Sequence, residues 1–288
     1  MSQDLFIKIK NLEKDSSEKQ KTLARYFLAH LNESSFQTVA EIAKEVGVSE
    51  PTVVRFAKAL GYKGFPELRD EFQRIILRRL IPSERVAGAF GAGQDLGKIV
   101  DRVFERESRN LKDTHKALDI FNIERIVDCI VKAENKYVLG LRSSSGCAYI
   151  LGRFLGHILP NVSTILSGHI SVFEELRTIR KGDVLIAICY PRYVRTTVDA
   201  LQFARDRGAA TITITDSDLT PSAQVSQFSI VAVSNSLSFS NSYTACLSVI
   251  NVLTSIISQK NKKQTKHYLE EWDILEPFNF FYKEKLVS

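Results

Sequence analysis

The chain has 288 residues, 44% hydrophobic and 25% charged, with a formal net charge of +6 and an isoelectric point near 9.0. That length and composition suit two ordinary globular domains, and the mild basic excess permits a polyanionic partner without requiring one. No apolar signal core follows the start MSQDLFIKIK, no apolar run approaches the ~18 residues of a membrane span, and the four cysteines (Cys129, Cys147, Cys189, Cys246) form neither a C-x-x-C pair nor a Cys/His cluster; the expectation is a cytoplasmic protein with reduced thiols, no metal, no cofactor and no membrane contact.

The first 80 residues read as helical. Leu23, Tyr26, Phe27, Ala29, His30 and Leu31 mark a helix over about 17–31. Two more helical patterns follow within 38–60, and a fourth runs over about 65–80. Residues 51–80 carry seven basic side chains (Arg55, Lys58, Lys63, Arg69, Arg74, Arg78, Arg79) against three acids, Glu67, Asp70 and Glu71. One proline and three glycines in IPSERVAGAFGAGQD, 81–95, read as a linker. Residues 95–134 are helical again, with Ile99, Val103, Leu111, Ile120, Ile126, Ile130 and Val131 at the apolar positions.

From Lys136 short apolar runs alternate with helical stretches. The runs are KYVLGL (136–141), VSTIL (162–166), DVLIAIC (183–189), ATITIT (210–215) and FSIVAV (228–233). Helical stretches fall near 145–158, 171–180, 195–207, 220–226 and 242–258. Near-continuous Val/Ile/Leu runs are strands buried on both faces, and their alternation with helices implies βαβ units. The expected architecture is an all-helical domain (1–80), a linker and connecting helix (81–110), a doubly wound α/β domain with a five-stranded parallel sheet (111–260), and a C-terminal tail (261–288). The tail is charged, then aromatic (Trp272, Phe278, Phe280, Phe281, Tyr282), which suits docking onto a surface.

The segment TVAEIAKEVGVSEPTVVRFAKALGY, 38–62, has the pattern of a helix-turn-helix. Gly47 makes the turn, and Ala43, four residues earlier, lets two helices approach. Ile42, Val46, Val48, Val53, Phe56 and Leu60 are apolar where the helices face the core. Ser49 is a natural N-cap for the second helix, with Pro51 in its first turn. A step of 100° per residue puts Val53, Phe56, Ala57 and Leu60 on one side and Pro51, Thr52, Arg55, Lys58 and Ala59 on the other. That second face suits the major groove of double-stranded DNA. Arg55 can fork onto a guanine edge, Ser49 and Thr52 can reach a base or a phosphate, and Lys58 and Lys63 suit phosphates. Thr38, opening the first helix, joins this DNA-facing set.

The stretch VAEIAKEVGVSEPTVVRFAKALGYKGFPELR resembles the N-terminal domain of the RpiR/HexR-type bacterial transcriptional regulators, with VSEPTVVRF followed by LGYKGF as its distinctive part. The resemblance implies that Ser49, Thr52 and Arg55 contact DNA and that Tyr62, Lys63 and Gly64 lie in a loop near the DNA backbone.

In the α/β domain, ligands are expected beyond the carboxyl ends of the strands, at a switch point. The loops there are GLRSSSG (140–146), YPRYVRTT (190–197), TDSDLTP (215–221) and SFSNS (238–242). Serines entering a helix offer hydroxyls and N–H groups to an anion, and Arg142, Arg192 and Arg195 add positive charge. The order of elements resembles the SIS (sugar isomerase) fold, which binds phosphosugars and follows the DNA-binding domain in RpiR-type regulators. The resemblance implies a sugar-phosphate site at Ser143, Ser144 and Ser145 and another at the loop after the third strand. There the usual S-x-S-G-x-T is replaced by Tyr190-Pro191-Arg192-Tyr193-Val194-Arg195-Thr196, so only Thr196 and Thr197 keep hydroxyls, and the arginines suit a phosphate or a carboxylate. The expected effector wall is Arg142, Ser143, Ser144, Ser145, Arg192 and Thr196, with Ser240 and Ser242 on the far side.

The favoured reading is a DNA-binding regulator, not an enzyme, controlled by a small anionic sugar-derived effector. It is expected to act as a homodimer or homotetramer that uses the helix near 95–117 and the aromatic tail as interfaces. The alternatives are a sugar-phosphate isomerase, for which Glu174, Glu175, His157 and His169 are the available bases, and a DNA-binding protein whose α/β domain only dimerises.

Overall fold

The computed structural model describes residues 2–30, 34–35, 37–79, 95–166 and 171–273. It divides into two units, Met1–Gln94 with Leu237–Ser240, and Asp95–Ser236 with Asn241–Ser288. The linker 81–94, His169 and the aromatic residues from Phe278 onward lie outside the described residues.

The first unit is helical: α1 (Ser2–Asp15), α2 (Glu18–Ala29), α3 (Val39–Val46), α4 (Glu50–Ala59) and α5 (Phe65–Arg79). α1 precedes the first helix expected from the periodicity. Its Leu5 and Ile9, one turn apart, are buried in the same core as the later helices. Phe27 organises that core: its ring stacks on Phe56 at 5.3 Å and Phe65 at 6.2 Å, and packs on Phe72 at 5.2 Å. Burying four phenyl rings supplies a large apolar area for a small domain, with ring contacts adding about 0.5–1.5 kcal/mol per pair.

The second unit begins with α6 (Leu96–Ala117) and α7 (Ile120–Lys132). The stretch expected as continuously helical breaks at Leu118, whose backbone is extended, and Asp119 caps α7 by accepting from the Phe121 N–H at 3.0 Å. Then follow β1 (Lys136–Gly140), α8 (Ser145–Ile158), β2 (Val162–Leu166), α9 (Val172–Glu175), β3 (Val184–Ile188), α10 (Arg195–Asp206), β4 (Ala210–Thr215), α11 (Pro221–Val225), β5 (Phe228–Val231), α12 (Thr244–Lys260) and α13 (Lys262–Asp273). Two stretches differ from expectation. The helix near 171–180 is one turn only, because the chain reverses through Gly182 at φ 97° to start β3. Part of the expected tail is the helix α13.

The described strands form one parallel sheet in the order β2-β1-β3-β4-β5. β1 and β3 are buried along their whole length. Alternate side chains feed two cores. Val138, Ile186, Ile188, Ile212 and Ile214 pack with α7, α8 and α12, while Tyr137, Leu139, Leu185 and Ala187 pack with α9 and α10. This period of two, with helices on both faces, is what buries β1 and β3 throughout. β2 is an edge strand that leaves Ser163 and Thr164 exposed. Among the described residues, no helix is long and apolar enough to cross a membrane, and all four cysteines are free.

Candidate nucleic-acid interface and ligand pocket

The helix pair α3–α4 is built from local rules. Thr38 caps α3 through a reciprocal box: its hydroxyl accepts from the Glu41 N–H at 3.3 Å, and its own N–H donates to Glu41 Oε2 at 2.6 Å. The Thr38 N–H, then the Thr38 hydroxyl, hold the Glu41 carboxyl below its ordinary value. Gly47 ends α3 in the left-handed conformation, φ 72°, donating to Ala43 O. Ala43 is buried between the helices, as the turn requires.

α4 places its residues largely as the helical wheel implies. Val53, Phe56, Ala57 and Leu60 are buried, and Pro51, Arg55, Lys58 and Ala59 are exposed. Thr52 is the departure, being 5% exposed. On the wheel it sits near the border between the two faces, and the surrounding helices cover it. Its hydroxyl lies 2.8 Å from Ser49 Oγ and accepts from Arg55 Nη2 at 3.1 Å. Ser49 stands at the N-cap position, but its side chain makes no capping bond to the α4 backbone; the Thr52 hydroxyl engages it instead. Thr38, expected to face DNA, has its hydroxyl in the capping box. The half-buried Tyr62 packs against the helical core, while Lys63 is exposed and its N–H donates to Glu67 Oε2 at 2.6 Å. The surface that remains is Ser49, Pro51, Arg55, Lys58 and Lys63.

In the α/β unit, the carboxyl ends of β1 and β3 border a pocket of about 210 Å³, lined by Leu141, Arg142, Ser143, Ser144, Tyr190, Pro191, Arg192, Tyr193, Val194, Arg195 and Tyr243. Because β1 and β3 are neighbours on either side of the reversal in strand order, their loops meet there. Gly140 closes β1 so tightly that a Cβ would stand 2.5 Å from Ala148 Cβ and 2.6 Å from Ser144 O. A 3₁₀ turn, Arg142–Ser144, then leads into α8. Arg142 has φ 54°, uncommon for a side-chain-bearing residue, and Ser145 Oγ donates to its carbonyl at 2.6 Å.

Among the described residues, three arginines line the pocket and no acidic side chain does. Arg195 reaches back to Asp199 at 3.5 Å, but its side chain is 93% exposed, so that pair screens its charge weakly. The α8 N-terminus adds partial positive charge on the same side. The other wall is aromatic. Tyr190 packs edge-on to Tyr243 at 5.4 Å. Tyr243 Oη donates to Ser143 Oγ at 2.8 Å, and Tyr193 Oη donates to Asp216 Oδ1 at 3.0 Å, tying the β3 loop to the β4 loop. Asn241 Nδ2 donates to the Pro191 carbonyl at 2.6 Å. Burial pushes the Tyr190 and Tyr193 phenols above their ordinary value, and at Tyr193 the Asp216 carboxylate adds to the effect.

Of the residues expected at this wall, Arg142, Ser143, Ser144 and Arg192 line the pocket, and four do not. The Ser145 hydroxyl serves the Arg142 carbonyl. Thr196 sits in the first turn of α10, behind Arg195. The buried Ser242 donates to Glu107 Oε2 at 2.5 Å, tying α12 to α6. Ser240 falls in the segment grouped with the helical unit. The three tyrosines were missed because aromatic residues in loops carry no sequence signal separate from core packing. Glu174 and Glu175, on the single turn α9, are not among the pocket residues. His157 lies on α8, and burial holds its imidazole below the ordinary value.

Residues 3–75 match the model of the helix-turn-helix domain, rpiR family, and residues 129–256 match the SIS domain. An uncharacterised HTH-type transcriptional regulator of Caldanaerobacter subterraneus subsp. tengcongensis is 22% identical over 271 residues, 93% of this chain and 95% of the relative. The sugar isomerase domain of an RpiR transcription factor from Sphaerobacter thermophilus superposes with a TM-score of 0.60 at 28% identity, over 63% of this chain and all of that domain. The Vibrio vulnificus NanR protein, solved in complex with ManNAc-6P, matches 95% of this chain and 98% of its own with a TM-score of 0.60 and 22% identity.

Proposed function

We propose, for a chain that belongs to the transcriptional regulators joining an rpiR-family helix-turn-helix domain to a SIS domain, that its hold on an operator is set by a phosphosugar bound in the pocket between β1 and β3. One observation carries this reading: Arg142, Arg192 and Arg195 converge on a pocket whose described lining holds no carboxylate. A guanidinium fork pairs a phosphate or carboxylate with two hydrogen bonds, and the Ser143 and Ser144 hydroxyls, with the α8 N-terminus, supply neutral donors beside it. The aromatic wall suits the carbon face of a sugar. The ligand of NanR is an N-acetylated sugar phosphate, the same class of anion. Arg55 reads a base edge from α4, and Lys58 and Lys63 neutralise phosphates.

The regulator acts as a homodimer or larger. One helix-turn-helix grips too few base pairs for useful specificity, and paired half-sites solve that. Leu96, Val100 and Phe104 are 77%, 54% and 71% exposed along one side of α6, an apolar stripe suited to a second copy. A ligand shifts operator binding only by favouring one arrangement of copies over another. No turnover is assigned to the pocket, because proton transfer between sugar carbons needs a placed base, and Glu174 and Glu175 stand outside it.

The test is a thermal-shift screen of ManNAc-6P, other hexose phosphates, sugar acids and uncharged polyols, followed by operator-binding assays with each hit. A phosphosugar should raise Tm and change operator affinity, and Ser144→Ala and Arg192→Ala should bind operator normally while losing that response. A normal response in both variants, or stabilisation by polyols alone, refutes the anion site. Sedimentation showing a monomer with and without DNA refutes the assembly.

A further inference from the structure

At the start of α4 three side chains form a short relay. Arg55 Nη2 donates to Thr52 Oγ1 at 3.1 Å, and Thr52 Oγ1 lies 2.8 Å from Ser49 Oγ. The two ends of the relay are exposed, and its centre, Thr52, is 5% exposed. A hydroxyl so covered cannot be a principal contact to a groove. It is also the best-anchored atom of the three, since a β-branched side chain in a helix has restricted χ1 and burial restricts it further.

We propose that Thr52 is the positioning residue of the recognition helix: it orients the Arg55 guanidinium for base reading and does not meet DNA itself. This rests on the reading of Arg55 as the base-contacting residue. The chemistry is that of the guanidinium fork. One Nη2 hydrogen goes to Thr52, and the remaining donors keep a fixed plane facing outward, as a two-acceptor guanine edge demands. Whichever hydroxyl donates in the Ser49–Thr52 pair, Thr52 Oγ1 keeps a lone pair for Arg55. A long side chain ordered before DNA arrives loses less freedom on binding. A held guanidinium also cannot swing to accommodate a wrong base, so the relay contributes to discrimination rather than to general affinity.

The test uses the full chain. Selection from short duplexes with a randomised core yields the parent's preferred sequence, and affinities are then measured for it, for single-base variants and for a random-sequence duplex across a salt series. Thr52→Val keeps the shape and burial of the side chain and removes only the hydroxyl. Ser49 and Arg55 then fall back on water, so no buried polar group is orphaned. The expected result is a loss of discrimination at one base position of about 3- to 10-fold, the worth of one net hydrogen bond. Affinity for the random duplex, the salt slope and Tm should be unchanged. Thr52→Ser should restore the parent's discrimination, and Thr52→Val should add nothing in an Arg55→Ala background. Parent-like discrimination in Thr52→Val, an even weakening on all duplexes, no rescue by serine, or an equal loss without Arg55 would each overturn the proposal. Failure of the underlying reading looks different: Arg55→Ala itself would leave discrimination untouched, and the positioning role would fall with it.

Discussion

Tyr243 Oη donates to Ser143 Oγ across 2.8 Å, joining the residue before α12 to the turn before α8, 100 positions apart. Because Ser143 accepts there, its own proton is available to an anion in the pocket. Tyr243→Phe keeps the ring against Tyr190 and removes that bond. Calorimetric titration with the phosphosugar found by screening should show affinity weakened about 3- to 10-fold, with operator binding by the ligand-free protein unchanged. Unaltered affinity would remove Ser143 from the anion site.

On the DNA side, Arg55→Ala should weaken specific binding by about 1–3 kcal/mol and relax preference at one base position. Lys63→Ala should weaken binding evenly across sequences and reduce the salt slope by about 1. Gel-shift titrations over a salt series separate the two. Equal behaviour of the variants would mean that α4 is not the reading helix.

Thr38→Ala should destabilise the helical domain by about 1 kcal/mol, the cost of an N-cap. The sign of its pH dependence follows from Glu41, whose carboxyl is held below the ordinary 4.5 by the Thr38 N–H and hydroxyl. A carboxylate depressed in the folded state stabilises fully above its unfolded value, and that contribution is lost as pH falls through the folded value. Thermal melts of parent and variant should therefore differ most at neutral pH, and the gap should narrow in acid without closing, because the bond from the Glu41 N–H to the Thr38 hydroxyl does not titrate. A gap that widens in acid would rule out the capping box as its source.

Gly140→Ala should cost about 1–3 kcal/mol, since the new methyl group would stand 2.5 Å from Ala148 Cβ and 2.6 Å from Ser144 O. The turn carrying Arg142–Ser144 must then move, so the response to ligand should be lost as well. Gly146→Ala, three residues past the pocket turn's Ser143 and with nothing within 4 Å of its added carbon, is the control and should respond normally. Loss of response in both variants would mean that the start of α8 tolerates no added side chain, whatever the packing at Gly140.

The two-domain plan and the alternation of elements were legible in the sequence because both follow from local rules. Strands buried on two faces must be apolar runs, and Val184–Ile188 falls where its run predicts. The helix-turn-helix is equally local: Gly47 needs a left-handed turn, and Ala43 must be small four residues before it. Pocket-lining residues were legible where position along one strand end sufficed, as for Arg142, Ser143, Ser144 and Arg192.

What period and spacing cannot express is which atoms a fold leaves facing a cavity. Thr52 sits at the border of the helical wheel, and only the packed helices decide that it is covered and turned toward Arg55. Ser145 and Ser242 look like ligand donors in a list of loop residues, yet their hydroxyls serve Arg142 O and Glu107. Tyr190 and Tyr243 meet only because the sheet order brings the end of β3 beside the start of α12. Hydrophobic pattern and backbone geometry are short-range properties written residue by residue, so the sequence determined the elements and their succession. The wall of a pocket is formed by contacts between residues tens of positions apart, and a hydroxyl bonds whichever partner the fold brings within 3 Å, so the tertiary structure alone decided which polar groups remain to meet a ligand or a base.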